Sequence, residues 1–198
     1  MNALSKATIG KREEFRDELS HSRGISTDPA SSEQQDKLSG EGGNEENSGG
    51  KGDVVVYGNS GNDVLSGDDG NDTIYGGKNN DTISDGGGNE KFSGKSNNDI
   101  IIAGEADRNS YTAGSDFDTL DCSNSTTGDL SIDLSKETLR HAGHEDRVDG
   151  YEHIISGSSD DTIKGSNNAD TIEGGAGNDA IRGYKGVDQL LGGDGEDR

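Results

Sequence analysis

The stretch GGAGNDAIR, residues 174–182, contains the pattern on which most of the chain is built. It has glycine at the first, second and fourth places, aspartate at the sixth and an aliphatic side chain at the eighth. A period of nine residues carries this pattern through two runs of sequence, which indicates a repeat architecture. The other copies are GNSGNDVLS from Gly58, GDDGNDTIY from Gly67, GGKNNDTIS from Gly76, DGGGNEKFS from Asp85, GKSNNDIII from Gly94, SGSSDDTIK from Ser156, GSNNADTIE from Gly165, GYKGVDQLL from Gly183 and GGDGEDR from Gly192.

Each copy divides into a loop and a short strand. Glycines at alternate places allow backbone torsions that other residues avoid, so the first six residues can form a tight loop whose carbonyls converge on a cation. The last three residues place one aliphatic side chain between two polar neighbours, as in a strand with one buried face. Copies must therefore stack to bury the aliphatic face.

Composition fits an extended solenoid better than a compact globule. The 198 residues include 33 glycines, one proline and only 25% hydrophobic residues, and the net charge is −22. This charge argues against nucleic acid or an anionic membrane as the main partner, and no segment is apolar enough to span a membrane. A disordered acidic chain would have a similar composition, but aliphatic or aromatic residues recur at the eighth place. They are Val56, Leu65, Ile74, Ile83, Phe92, Ile101, Ile154, Ile163, Ile172, Ile181 and Leu190.

These repeats resemble the RTX (repeats-in-toxin) or haemolysin-type calcium-binding family, whose nonapeptide is G-G-x-G-x-D-x-U-x with U large and apolar. The resemblance covers residues 49–198 and implies an all-β fold, a parallel β-roll in which two nonapeptides make one turn. It implies several bound Ca²⁺ ions, held by sixth-place carboxylates and loop carbonyls. The expected calcium-site residues are Asp63, Asp72, Asp81, Asp99, Asp161, Asp170, Asp179 and Asp188, with Gly58, Gly61, Gly67, Gly70, Gly76, Gly77, Gly165, Gly174, Gly175, Gly177, Gly183 and Gly186.

The β-roll geometry implied by the resemblance also predicts how the sites are arranged. Loops of alternate repeats stack on the same side, so Asp63, Asp81 and Asp99 should line one edge and Asp72 and Glu90 the other. The site of the DGGGNEKFS copy departs most from the family pattern, because it has aspartate at the first place and glutamate at the sixth.

Four segments are expected along the chain. Residues 1–48 lack the repeat and predict a disordered polar leader. Residues 49–102 form the first block, which opens with GGKGDVVVY; this copy has Val54 at the sixth place and is interpreted as an N-terminal cap. Residues 103–155 hold degenerate repeats and an insertion. Residues 156–198 form the second block, whose last repeat is cut at Arg198.

The repeat breaks within residues 103–155. In AGEADRNSY, residues 103–111, Arg108 falls at the sixth place and Ser110 at the eighth, so no calcium site is expected. We place one extra residue at Thr112, followed by a partial copy with Asp118. Residues 129–134 alternate polar and apolar side chains, which predicts a strand, and residues 135–150 are interpreted as a charged loop.

Other chemistry is weakly indicated. His141 and His144 have the spacing of a metal pair but lack a third ligand, which favours a solvated loop. Cys122 is the single cysteine, so no internal disulfide can form. The motifs H-E-x-x-H and G-x-S-x-G are missing from the sequence, so we expect no enzymatic activity.

Two classes of function fit the sequence. The first is a calcium-binding exported protein that folds when calcium binds, because burial of one aliphatic side chain per nine residues cannot offset the entropy of ordering them. The resemblance implies secretion by type I machinery, since free calcium outside cells fills weak sites. The second is an accessory RTX region of a larger secreted protease, lipase, polysaccharide epimerase or adhesin.

Overall fold

A computed structural model describes residues 18–21, 26–27, 36–104, 108–125 and 128–198. The described chain is all-β apart from one 3₁₀ turn, and its short strands pass alternately between two sheets, as the resemblance predicted. Strands within each sheet are parallel, apart from pairs in the insertion. Equivalent residues of neighbouring turns lie eighteen positions apart, so that Val56 pairs with Ile74 and Leu65 with Ile83. The parallel β-roll is confirmed.

The first sheet contains eleven strands among the described residues. In spatial order they are β1 (Glu18–His21), β3 (Asp36–Gly40), β5 (Val54–Ser60), β7 (Thr73–Lys78), β9 (Lys91–Ser96), β11 (Ser110–Ser115), β15 (His144–Asp149), β14 (Thr138–His141), β13 (Ser131–Asp133), β17 (Thr162–Lys164) and β19 (Ala180–Arg182). The 3₁₀ turn, Leu134–Lys136, joins β13 to β14.

The second sheet contains nine strands in the described part of the chain. In spatial order they are β2 (Ser26–Thr27), β4 (Glu46–Ser48), β6 (Val64–Ser66), β8 (Thr82–Ser84), β10 (Ile100–Ile102), β12 (Thr119–Asp121), β16 (His153–Ile155), β18 (Thr171–Ala176) and β20 (Gln189–Asp194).

Eighth-place side chains from both sheets meet between them and form the core. Most of the predicted positions are fully buried, because each sits in the middle of a strand whose two neighbours point outwards. Ile181 is only partly buried, and Leu190 is 48% exposed because β20 is the terminal strand of its sheet in this chain. The predicted core is therefore correct except at these last positions.

The roll begins before residue 49, so the predicted end of the leader is wrong. Residues 40–48, GEGGNEENS, form a further repeat, with Gly40 at the first place, Glu45 at the sixth and Asn47 at the eighth. Strands β3 and β4 pair with β5 and β6, so GGKGDVVVY is an internal repeat and not a cap. The rest of the predicted disordered leader lies outside the described residues, apart from β1 and β2.

The register predicted for residues 103–112 is also wrong. Tyr111 pairs with Phe92 and is fully buried, so it holds the eighth place that was assigned to Ser110. Asn109, and not Arg108, is the sixth-place residue, since its side chain accepts a hydrogen bond from the amide of Glu90. The extra residue therefore precedes Asn109 and does not lie at Thr112.

The insertion is a three-stranded antiparallel meander and not a charged loop. Strand β13 forms as predicted, but β14 and β15 follow it and pair antiparallel. The meander lies between β11 and β17, both of which it meets in parallel. The second sheet runs from β12 directly to β16, so the two repeat blocks form one continuous roll. The first sheet is therefore wider by two strands, about 10 Å, at this point.

The described residues include no helix long and apolar enough to cross a membrane.

Candidate metal centre

Sixth-place residues lie at the two edges of the roll, each immediately before a strand. We call them the Asp63 edge, where the chain passes from the first sheet to the second, and the Asp72 edge, where it returns. The structure places Asp63, Asp81 and Asp99 on the first edge and Asp72 and Glu90 on the second, as the sequence predicted. Asp170 and Asp188 join the Asp63 edge, while Asp161 and Asp179 lie on the Asp72 edge.

In most of the sixth-place aspartates, one carboxylate oxygen joins neighbouring turns. On the Asp63 edge, the amide of Asp63 donates to Oδ1 of Asp81 at 2.9 Å, and the amide of Asp81 donates to Oδ1 of Asp99 at 2.8 Å. The amide of Asp99 donates to Oδ1 of Asp118 at 2.7 Å. On the other edge, the amide of Asp161 donates to Oδ1 of Asp179 at 2.8 Å. The carboxylates therefore form a hydrogen-bonded ladder along the roll.

In six of these aspartates the second carboxylate oxygen is buried and has no hydrogen-bond partner among the residues that the structure describes. This is so for Oδ2 of five predicted aspartates and of Asp118. The predicted ones are Asp63, Asp72, Asp81, Asp99 and Asp179. A buried anionic oxygen without a donor is costly unless a cation accompanies it. The second oxygen is thus available as a metal ligand.

The first-place glycines leave the space that such a cation needs. A Cβ atom at Gly58 would lie 2.5 Å from Oδ2 of Asp63 and 2.5 Å from the carbonyl oxygen of Gly76, on the next turn. A Cβ atom at Gly174 would meet Oδ2 of Asp179 and the carbonyl oxygen of Gly192 at the same distances. The aspartate and the next-turn carbonyl therefore converge on one small cradle, which any side chain at the first place would fill. A Cβ atom would likewise come within contact range of the sixth-place carboxylate if it were added at Gly67, Gly76, Gly165 or Gly183.

The remaining predicted glycines serve the loop backbone. Six of them have positive φ, a conformation that L side chains rarely adopt: Gly61, Gly70, Gly77, Gly175, Gly177 and Gly186. Asn79 and Asn97 replace glycine at the fourth place, both with φ of 76°. Asparagine tolerates this region better than most residues.

Some repeats depart from this arrangement. Oδ2 of Asp161 accepts a hydrogen bond from Oγ of Ser156 at 2.5 Å, and Oδ2 of Asp170 accepts one from the amide of Ser166 at 2.6 Å. In GGKGDVVVY, the side chain of Val54 replaces the carboxylate and packs against the first-place Gly49. That repeat has the ladder amide but no acidic ligand.

Several ladder carboxylates were missed or left unassigned by the sequence analysis. The repeat that contains Glu45 was missed because its eighth place holds Asn47 and not an aliphatic residue. Its first- and fourth-place glycines do match the pattern. Its amide donates to Oδ1 of Asp63. Asp118 continues the Asp63 edge, and Glu152 accepts the Asp118 amide at 3.0 Å. Asp197 extends the Asp72 edge beyond Asp179. The eighteen-residue spacing to a known site would have found Glu45 and Asp197.

Burial makes four of the ladder carboxylates easier to protonate. Loss of hydration raises the pKa of Asp81 and Asp99 to about 7 and that of Asp72 and Asp118 to about 6, and the ladder amide offsets only part of this effect. The folded roll without metal therefore binds protons more tightly than the unfolded chain.

In EDTA, we expect acid to favour the folded roll. These pKa values are raised on folding, so the stabilisation is complete below about pH 4 and is lost as the pH rises through about 6 to 7. Far-ultraviolet circular dichroism in EDTA should show more β-structure at about pH 5 than at about pH 8. In calcium the order should reverse, because the ligands must be deprotonated. A β signal that grows with pH in EDTA would contradict the burial argument.

The donor set fits a hard divalent cation. Ca²⁺ accepts about six to eight oxygens from carboxylates and backbone carbonyls, which are the atoms that line the cradle. Among the described residues no three His, Cys, Asp or Glu side chains gather as a metal site, so side chains alone do not complete the coordination. Such a site differs from the His- or Cys-rich sites of zinc.

A family model described as the RTX calcium-binding nonapeptide repeat (4 copies) matches residues 39–74, 66–101, 86–120, 148–180 and 164–198. The chain belongs to this RTX family. The first match starts at residue 39, one residue before GEGGNEENS, in agreement with the early start of the roll. The RTX repeats support calcium binding by the chain, and the gap between matches, residues 121–147, contains most of the meander. A comparison with curated proteins gives no match.

Proposed function

We propose that this chain is a calcium-responsive β-roll of an exported protein, and that its activity is binding and not catalysis. Calcium would supply positive charge to the buried Oδ2 atoms and draw neighbouring turns together. The observation that carries the proposal is the buried, unpartnered Oδ2 of the sixth-place aspartates, facing the carbonyl of the next turn. The expected ligands are the aspartates and glycines predicted from the sequence, with Asp118 added.

The chain's own residues hold these sites ready in a specific way. The ladder amide fixes one carboxylate oxygen and so aims the other at the first-place glycine. Parallel backbone pairing of the strands sets the distance between neighbouring turns, and thereby the distance between neighbouring carboxylates. Those carboxylates repel one another without a cation, so calcium binding and stacking of turns are expected to be coupled.

Asp179→Asn tests the ligand assignment, with Asp160→Asn as the matched control. Each change removes one negative charge, and the two residues lie on adjacent turns. The asparagine of Asp179→Asn keeps an acceptor for the amide of Asp161. Asp160 lies at the fifth place and is exposed, where other repeats such as GDDGNDTIY have asparagine. We expect calorimetric titration to show a loss of about one calcium ion for Asp179→Asn and none for Asp160→Asn. Equal losses would show that sixth-place recurrence does not identify the ligands.

Export is the second part of the proposal. RTX proteins are typically exported by type I secretion, and calcium outside cells is high enough to fill weak sites. Fractionation of producing cells, with and without the transporter, tests it. Retention of the protein inside cells that carry the active transporter would contradict export and leave calcium binding untouched.

A further inference from the structure

The meander contains a carboxylate that is satisfied without a metal. Asp146, in β15, is fully buried on the Asp72 edge. Its Oδ1 accepts the amide of Asn109 at 2.7 Å, as the ladder carboxylates do on other turns. Asp146 therefore takes the place of a sixth-place residue.

The other oxygen of Asp146 is where this turn differs. Oδ2 lies 2.7 Å from Nε2 of His141, and both side chains are almost completely buried. A carboxylate only accepts hydrogen bonds, so Nε2 must carry the proton and donate it. On other turns, such as that of Asp81, the equivalent oxygen has no hydrogen-bond partner within the described part of the chain.

The sequence around this pair is a disguised repeat. His141 precedes Asp146 by five residues, as Gly58 precedes Asp63, so HAGHEDRVD, residues 141–149, has histidine at the first place. Val148 takes the eighth place and is buried. The chain here forms a two-residue hairpin turn at Ala142 and Gly143, with φ of 46° and 86°, in place of the usual loop. A first-place side chain can therefore enter the space that glycine leaves open elsewhere.

We infer that the imidazole of His141 replaces the calcium ion at this turn, so that the meander completes the Asp72 edge without metal. The inference rests on the proposed role of the other sixth-place carboxylates. On this inference His141 is a positioning residue for Asp146. The calcium sites of the Asp72 edge then fall into two groups, one on each side of the meander.

A double-mutant cycle tests the inference. The variants are His141→Ala, Asp146→Asn and the pair together, with His144→Ala as control because that half-buried ring faces His141 across the hairpin. Amide hydrogen exchange of residues 138–149 is measured in saturating calcium. His141→Ala leaves a buried carboxylate unpaired, so exchange should rise by roughly a hundredfold. In the double variant the charge is gone, so the rise should be much smaller, and His144→Ala should have little effect.

The outcomes separate this inference from the proposed function. If His141 only fills space, Asp146→Asn will not relieve the effect of His141→Ala, and the inference fails. Calorimetry on Asp146→Asn should give the calcium stoichiometry of the unmodified chain; a loss of one ion would also overturn the inference. Failure of the unmodified chain to bind calcium would instead overturn the proposed function, and the cycle would still report the coupling of His141 with Asp146.

Discussion

Removal of calcium is expected to convert most of the chain from β-structure to coil. Each repeat buries about one large side chain per nine residues, which is too little to offset the entropy of ordering them. The ladder also stacks carboxylates at the spacing of neighbouring strands, about 4.8 Å, so that they repel one another at neutral pH. Binding energy of the cation must supply the difference.

Circular dichroism in EDTA, followed by addition of millimolar calcium, measures this transition. Sodium chloride of equal ionic strength is the control for screening of charge, and magnesium is the control for size, because Mg²⁺ requires a stricter octahedral geometry than Ca²⁺. Only calcium should restore the β signal. A spectrum that does not change between EDTA and calcium would show that packing alone holds the roll.

The period of the sequence was sufficient to predict the main structure of the roll. The eighth-place residues, such as Ile74 and Ile83, determine both the buried face and the register, because a shift by one residue would expose them. The two edges followed from the turn of two nonapeptides that the resemblance to the RTX family implies. That resemblance also assigned the sixth-place aspartates as ligands, and the structure adds that one oxygen joins turns while the other remains available.

The early repeats could not be predicted in the same way because they have unusual side chains at the diagnostic places. Asn47 is buried at an eighth place, and Glu45 has one methylene more than aspartate. The register around Tyr111 was missed because an extra loop residue can be placed on either side of a strand when only spacing is used. The sequence also carried a sixth-place signal in Asp146, but the neighbouring His141 concealed the repeat.

The meander depends on partners distant in sequence. The charged residues of β14 and β15 give little apolar alternation, although Leu139 and Val148 are buried. These strands form because β11 and β17 offer parallel edges on either side. Local propensity does not contain that information, so the segment was interpreted as a loop.

Gly58→Ala should abolish one site, although it adds only a methyl group. The new Cβ would lie 2.5 Å from both Oδ2 of Asp63 and the backbone carbonyl of Gly76, so it would occupy the cradle between the two ligands. Relief requires movement of backbone, which costs about 1–3 kcal/mol of folding free energy. We expect the loss of about one calcium ion and a higher calcium concentration at the folding midpoint.

Gly87→Ala is the matched control, since the nearest atom to its added Cβ is 3.9 Å away and its φ is not in the left-handed region. It shares with Gly58→Ala the loss of backbone freedom in the unfolded chain, which alone would stabilise the fold slightly. Calcium titrations followed by calorimetry and circular dichroism should therefore show a lower stoichiometry and a higher folding midpoint only for Gly58→Ala, because only that variant fills the cradle. Normal stoichiometry in Gly58→Ala would mean that calcium binds away from the first-place glycine, and that the buried Oδ2 of Asp63 is not its ligand.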